Sequence, residues 1–191
     1  MKSNDLAKRV RDFWFGAEGS EVFGTSRPEW FVKDPVFDDA IRTAFLSDVE
    51  AALKGGLDDL GADSAEDCLA LLILLDQFPR NLFRGSGRSF AGDGRALALA
   101  KDAIDRGFDT ETPPFQRLFF YLPLEHSEVL ADQDQCVERV ADLESEELLK
   151  YAIAHRDIIA RFKRFPHRND VLGRISTPEE LAFLEGPNSS F

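Results

Sequence analysis

Residues 64–78 constrain the fold more than any other part of the chain. Wound as a helix, they are apolar on nearly every side, and residues 69–75 form the longest apolar run in the sequence. A helix without a polar face cannot rest on a surface, so it has to be sheathed by other elements. Ser64 and Asp67 resemble a capping box at its start, with aspartate in place of the usual glutamate, and Pro79 is expected to stop it.

The rest of the chain reads as that sheath. Ser3, Asn4 or Asp5 caps a first helix that carries Leu6, Val10, Phe13 and Trp14 on one side and stops at Gly16. Residues 17–33 read as a loop that Trp30 and Phe31 pin to the core. Asp34-Pro35 places an N-cap before a proline at the first helical position. Phe37, Ile41, Ala44, Phe45, Val49 and Ala52 then recur at helical spacing as far as Gly55-Gly56. Further helices are expected over 93–107 with Asp93 as cap, from Thr112-Pro113 to Pro123, where proline ends or bends the helix, and over 132–143 and 145–162. Another starts at Thr177-Pro178-Glu179-Glu180, a strong N-terminal signature. This gives about eight helices, with no sustained apolar–polar alternation and no hairpin turn between strand-like runs. An all-α fold in a single domain over 1–191 is the expectation, without linker, low-complexity tract or strict repeat.

Charge narrows the partners. A net charge of −12 repels phosphate backbones, so neither nucleic acid nor an anionic membrane is expected as a partner. The longest apolar run is far short of the ~20 residues that span a bilayer, and residues 1–10 show no apolar signal region, so a cytoplasmic location is expected. Cys68 and Cys136 lie in separate helices and read as buried free thiols. Seventeen phenylalanines point to a Phe-rich core.

Arginine breaks the acidic trend in two places. Residues 76–95 carry a net charge of +2 and residues 155–174 one of +4. The two stretches echo each other. Phe78-Pro79-Arg80-Asn81 precedes Arg84-Gly85, and Phe165-Pro166-His167-Arg168-Asn169 precedes Gly173-Arg174. One reading is structural: proline stops a helix, phenylalanine fills the core, and Asn and Arg bond the orphan carbonyls at the helix end. The other is an anion- or carboxylate-binding surface made by Arg80, Asn81, Arg84, Arg164, His167, Arg168, Asn169 and Arg174. Asp76, at the end of the most apolar helix, needs a partner such as Arg80 or Arg84, and Asp157 with Arg161 has (i, i+4) ion-pair spacing.

Three histidines complete the candidates. His155 shares a stripe with Leu148, Ala152, Ile159 and Phe162, so its imidazole is expected to face the core. In an enzyme, His126 or His155 would serve as general base, Glu128 or Asp157 would orient it, and Arg164 and Arg168 would clamp an anion. The histidine spacings match no metal motif, and a site from His126, Glu128 and His155 could arise only through the fold; no metal is expected. No glycine-rich phosphate loop or Gly-x-Ser-x-Gly elbow is present, and no cofactor is expected.

Several strings resemble the signature of the bacterial family catalogued as domain of unknown function 924. They are Phe13-Trp14-Phe15-Gly16, Leu74-Leu75-Asp76-Gln77-Phe78-Pro79-Arg80-Asn81, Tyr121-Leu122-Pro123-Leu124-Glu125-His126-Ser127-Glu128, His155-Arg156-Asp157-Ile158-Ile159 and Arg164-Phe165-Pro166-His167-Arg168-Asn169. Leu172-Gly173-Arg174 and Thr177-Pro178-Glu179-Glu180 fit as well, so the resemblance runs over nearly the whole chain. It implies an antiparallel α-α superhelix similar to tetratricopeptide-repeat folds, and it brings no reaction with it. The chain departs from the family pattern at Lys163, where glycine is usual, and lysine is expected to let the helix run on. The function expected first is a binding module for a small anionic ligand or a peptide or protein partner. The alternatives are a hydrolase- or lyase-like enzyme with a His/acid pair, or a structural or homo-oligomeric scaffold.

Overall fold

A computed structural model describes residues 3–187 and residue 189, the side chains of Ser3 and Asn4 excepted. Among the described residues every regular element is helical: α1 (Ser3–Phe15), α2 (Pro35–Leu53), α3 (Ala65–Leu72), α4 (Phe78–Leu82), α5 (Asp93–Asp105), α6 (Phe108–Glu111), α7 (Pro114–Glu125), α8 (Leu130–Ala141), α9 (Glu146–Phe162) and α10 (Pro178–Leu184). A π-helical turn, Ile73–Gln77, joins α3 to α4, so the two form one rod.

Four of the predicted starts owe their positions to side-chain caps. Asp34 accepts from the N–H groups of Val36 at 2.8 Å and Phe37 at 3.2 Å, and Ser64 accepts from Asp67 at 3.1 Å. Ser145 accepts from Leu148, and Thr177 with Glu180 closes a full capping box at 3.2 and 2.7 Å. Each cap satisfies backbone donors that the first helical turn leaves bare. For α1, the Ser3 and Asn4 side chains lie outside the described residues, and Asp5 already stands inside the helix.

Several expectations are corrected. Pro79 does not stop the central helix. The π-turn has the Phe78 N–H reaching back five residues to the Ile73 carbonyl, and the rod continues to Leu82. Pro123, expected to end or bend its helix, does not end it: α7 runs on to Glu125. Asp93 is no cap: Gly92 holds that position and the Asp93 carboxylate pairs with Arg80 at 3.1 Å. Asp132 lies inside α8, where it accepts from the Ser127 hydroxyl at 2.7 Å. Trp30 does pin its loop, donating to the Trp14 carbonyl at 3.0 Å, but Phe31 is 58% exposed. Lys163 does not extend α9; it takes a left-handed φ of +60° and ends the helix.

The chain divides into two compact units, Met1–Arg84 with Arg88–Pro123, and Gly85–Gly87 with Leu124–Phe191. In the first, residues 68–79 of the α3/α4 rod are buried without a break, with α1, α5 and α6 against α3 and α2 against α4. Its core is aromatic. Trp14 stands 5.6 Å from Phe78 and 5.8 Å from Phe119 between ring centroids, Phe45 lies 5.0 Å from Phe78, and Trp30 lies 5.0 Å from Phe119. In the second, α8 and α9 pack along each other, and Ile158, Ile159 and Phe165 form a core with Leu130, Phe162 and Phe183 around it. Both cysteines are buried free thiols, and burial pushes the Cys68 thiol up to about 12. Among the described residues no helix is long and apolar enough to cross a membrane.

Candidate functional site

In the first unit the arginine motif grows out of the π-turn. Asp76 is buried, and Arg80 on the next turn meets it at 3.3 Å while also reaching Asp93. Burial alone would lower the Arg80 pKa; Asp76 and Asp93 together raise it, so the guanidinium is a held charge. Asn81 donates to Asp38 on α2 at 2.8 Å, and Arg84 grips the same carboxylate twice, at 2.6 and 2.9 Å. Burial would raise the Asp38 carboxyl, and the Arg84 and Asn81 hydrogen bonds more than offset it, leaving it below its usual value.

Beside this group opens a cleft of about 320 Å³ lined by Lys33, Pro35, Asp38, Asp39, Arg42, Asn81, Leu82 and Arg84. Arg42 is anchored by a 2.6 Å bond to the Leu82 carbonyl. Pro35, Asp38, Asp39 and Arg42 share one face of α2 through their (i, i+3) and (i, i+4) spacing, and α4 with its following turn supplies the opposite wall. Donors therefore converge on a space with a partly apolar lining.

In the second unit Arg164 and Arg174 pair with carboxylates and Arg168 is buried. Arg164 grips Glu180 at 2.6 and 2.7 Å, and that hydrogen bond is the main reason the Glu180 carboxyl is pushed down to about 2. Arg174 holds Glu128 at 2.7 and 3.0 Å, bonds the Phe165 carbonyl at 3.0 Å and meets the Asn169 amide oxygen at 2.9 Å. Burial would raise Glu128, but Arg174 and the Phe165 N–H hold it below its usual value. Asn169 donates to Ser176 and Glu180. Arg168 is 6% exposed, with its guanidinium 4.5 Å from the Phe165 ring centroid. These bonds tie 164–176 to the first turn of α10 and to Glu128 in the turn before α8, chiefly through carboxylates rather than through the helix-end carbonyls expected from the sequence.

The three histidines do converge. His155 and Phe165 are 5.7 Å apart between centroids, Phe165 and His167 are 5.6 Å apart, and His126 is close enough to disfavour protonation of both other imidazoles. His155 Nδ1 lies 2.9 Å from the Tyr151 carbonyl, which can only accept, so Nδ1 carries the proton and Nε2 the lone pair. Glu125 stands 3.5 Å from the same Nδ1. Burial pushes His155 down to about 3. Burial, then Arg168, pushes His167 down to about 4, and its Nδ1 is buried without a hydrogen-bond partner. Cys136, 3.9 Å from Glu125, has its thiol pushed up by burial and is no nucleophile.

Asp157 takes no part. It is exposed and pairs with Arg156 at 2.7 Å, while Arg161 pairs with Glu179 at 2.9 Å, so the expected Asp157–Arg161 pair is replaced by two others. Glu128 faces Arg174, leaving Glu125 as the acid beside His155. Among the described residues no three of His, Cys, Asp and Glu gather as metal ligands. Sequence reasoning missed Glu125, and it missed Lys33, Asp38, Asp39 and Arg42 in the cleft. The spacing of Asp38, Asp39 and Arg42 on the exposed face of α2 was the available signal.

Fold and site together define an all-helical protein with buried polar networks and a donor-lined cleft. The family model described as "Bacterial protein of unknown function (DUF924)" matches residues 10–188, and the chain belongs to that family. The solved structure of the protein of unknown function ATU0120 from Agrobacterium tumefaciens is 40% identical and has a TM-score of 0.85, with 97% of this chain and 100% of that chain covered. No curated protein matches the chain.

Proposed function

We propose that the protein is a binding module whose first unit takes an anionic ligand in the α2/α4 cleft. The observation that carries this reading is the convergence of Lys33, Arg42, Asn81 and Arg84 on a cleft of about 320 Å³ with Pro35 and Leu82 in its lining. That volume falls at the small end of ligand sites, and a few donors around an apolar lining is their usual chemistry. Three cations face two carboxylates there, and Asp38 is already matched by Arg84, so one positive charge is left for a ligand. The other arginines singled out by the sequence serve the fold instead. Isothermal titration with acetate and inorganic phosphate tests the reading. Binding that disappears in Lys33→Glu, with an unchanged melting temperature, is expected; no binding by either anion, or binding that survives Lys33→Glu, overturns it.

A second reading, proton transfer in the second unit, is favoured by the fixed tautomer of His155 beside Glu125. A base held down to about 3 accepts protons poorly at neutral pH, which makes binding the stronger reading. A hydrolase panel with His155→Gln as control tests it: turnover lost in the variant supports proton transfer, and no turnover in either protein removes it.

A further inference from the structure

The cleft has features that a simple anion does not use. Asp38 and Asp39 belong to its lining, and Asp39 is exposed. Two carboxylates repel a dianion such as phosphate, whereas an acceptor next to cations suits a ligand that carries one negative charge and also N–H donors. The segment that supplies Lys33 and Pro35 is also apolar and open to solvent: Phe31 is 58% exposed, Val32 62% and Val36 81%. Val36 and Asp39 are three residues apart on α2 and therefore neighbours on its surface, so the apolar side chain borders the cleft.

A ligand that fits has a carboxylate, at least one amide N–H beside it, and an apolar group within a residue's reach. We propose that the occupant of the cleft is the carboxyl end of a peptide whose last residues are apolar, with the carboxylate between Lys33 and Arg42 and the terminal side chains on Val36. This rests on the anion reading above. Charge complementarity selects the carboxylate, Asp39 accepts the peptide N–H, and Val36 covers the apolar side chain. A chain end matches a cleft at the lower size limit of ligand sites. Carboxylate capture at a chain end also requires little ordering of the ligand, since only the last residues are fixed.

The test uses the full chain and four probes: a labelled hexapeptide ending in Ala-Val with a free carboxylate, its C-terminal amide, acetate and inorganic phosphate. Fluorescence anisotropy follows the peptides and calorimetry the small anions. The free acid is expected to bind at least about tenfold more tightly than the amide. Val36→Ser is expected to weaken the free acid about tenfold and leave acetate unchanged, because it removes the apolar contact without adding charge, and position 36 is exposed in the first turn of α2, so the fold is kept. Lys33→Glu is expected to abolish binding of both. If acetate or phosphate binds but the peptide acid binds no better than acetate, or no better than its amide, the chain-end proposal is overturned and the anion reading stands. If neither acetate nor phosphate nor peptide binds, both fall together.

Discussion

Gly92 lies against the backbone carbonyl of Leu75, and a Cβ built on it would stand 2.0 Å from that oxygen. Leu75 is four residues before Pro79, the position whose missing N–H would have closed its helical hydrogen bond. The proline, the π-turn and the glycine are thus parts of one contact between the central rod and the start of α5. Because the clash is with backbone, Gly92→Ala is expected to cost about 3 kcal/mol or more. Urea unfolding measures it, and a midpoint equal to the wild type would show the contact to be soft.

Lys163 ends α9 with a φ of +60°, a conformation that costs an L-residue about 1–2 kcal/mol and glycine almost nothing. Lys163→Gly is expected to stabilise the protein by roughly 0.5–1 kcal/mol, the gain reduced by glycine's freedom in the unfolded chain. A fall in the thermal midpoint would contradict this.

Folded His155 and His167 bind protons less readily than their unfolded counterparts, with values of about 3 and about 4 against an ordinary 6.5. Below pH 6.5 the unfolded chain therefore holds more protons, and stability falls as pH falls, until each folded imidazole titrates in turn. The slope is about 1.4 kcal/mol per pH unit for each histidine between pH 6 and 4.5. Denaturant midpoints across that range should show it. His155→Gln keeps a donor for the Tyr151 carbonyl and is expected to remove half of the slope; an unchanged slope would mean that His155 is not held neutral by burial.

Arg168 is buried, with its guanidinium over Phe165, so Arg168→Ala is expected to lose about 2–4 kcal/mol through lost packing and stranded partners. An unaltered denaturation midpoint would return Arg168 to the ligand role that the sequence suggested for it.

Much of the local structure was legible because it is written in neighbouring residues. Asp34-Pro35, Ser64, Ser145 and Thr177-Pro178-Glu179-Glu180 start helices through bonds that span two or three positions. The buried rod followed from a run with no polar face, and His155 from its stripe. The failures share a cause. The local effect of Pro79 is to stop a helix, whereas a π-turn and a glycine from another part of the chain absorb it. Asp93 was read as a cap and is instead claimed by Arg80, thirteen residues away in sequence. Trp30 and Phe31 are both expected to pin their loop, and the sequence does not say which of two adjacent aromatic residues finds the space; Trp30 does.

The sequence by itself determined the all-helical class, the four helix starts with side-chain caps and the central buried rod, because propensity, capping and hydrophobic period act over one or two turns. It also marked the arginine-rich strings. Only the tertiary structure decided what those arginines do, since ion pairing depends on which carboxylate is brought near. It set Arg164 on Glu180, Arg174 on Glu128 and Arg84 on Asp38, gathered three histidines from 126, 155 and 167, and left Lys33 and Arg42 beside an open cleft. Electrostatic partners are fixed by distance in space, and distance in space follows from packing.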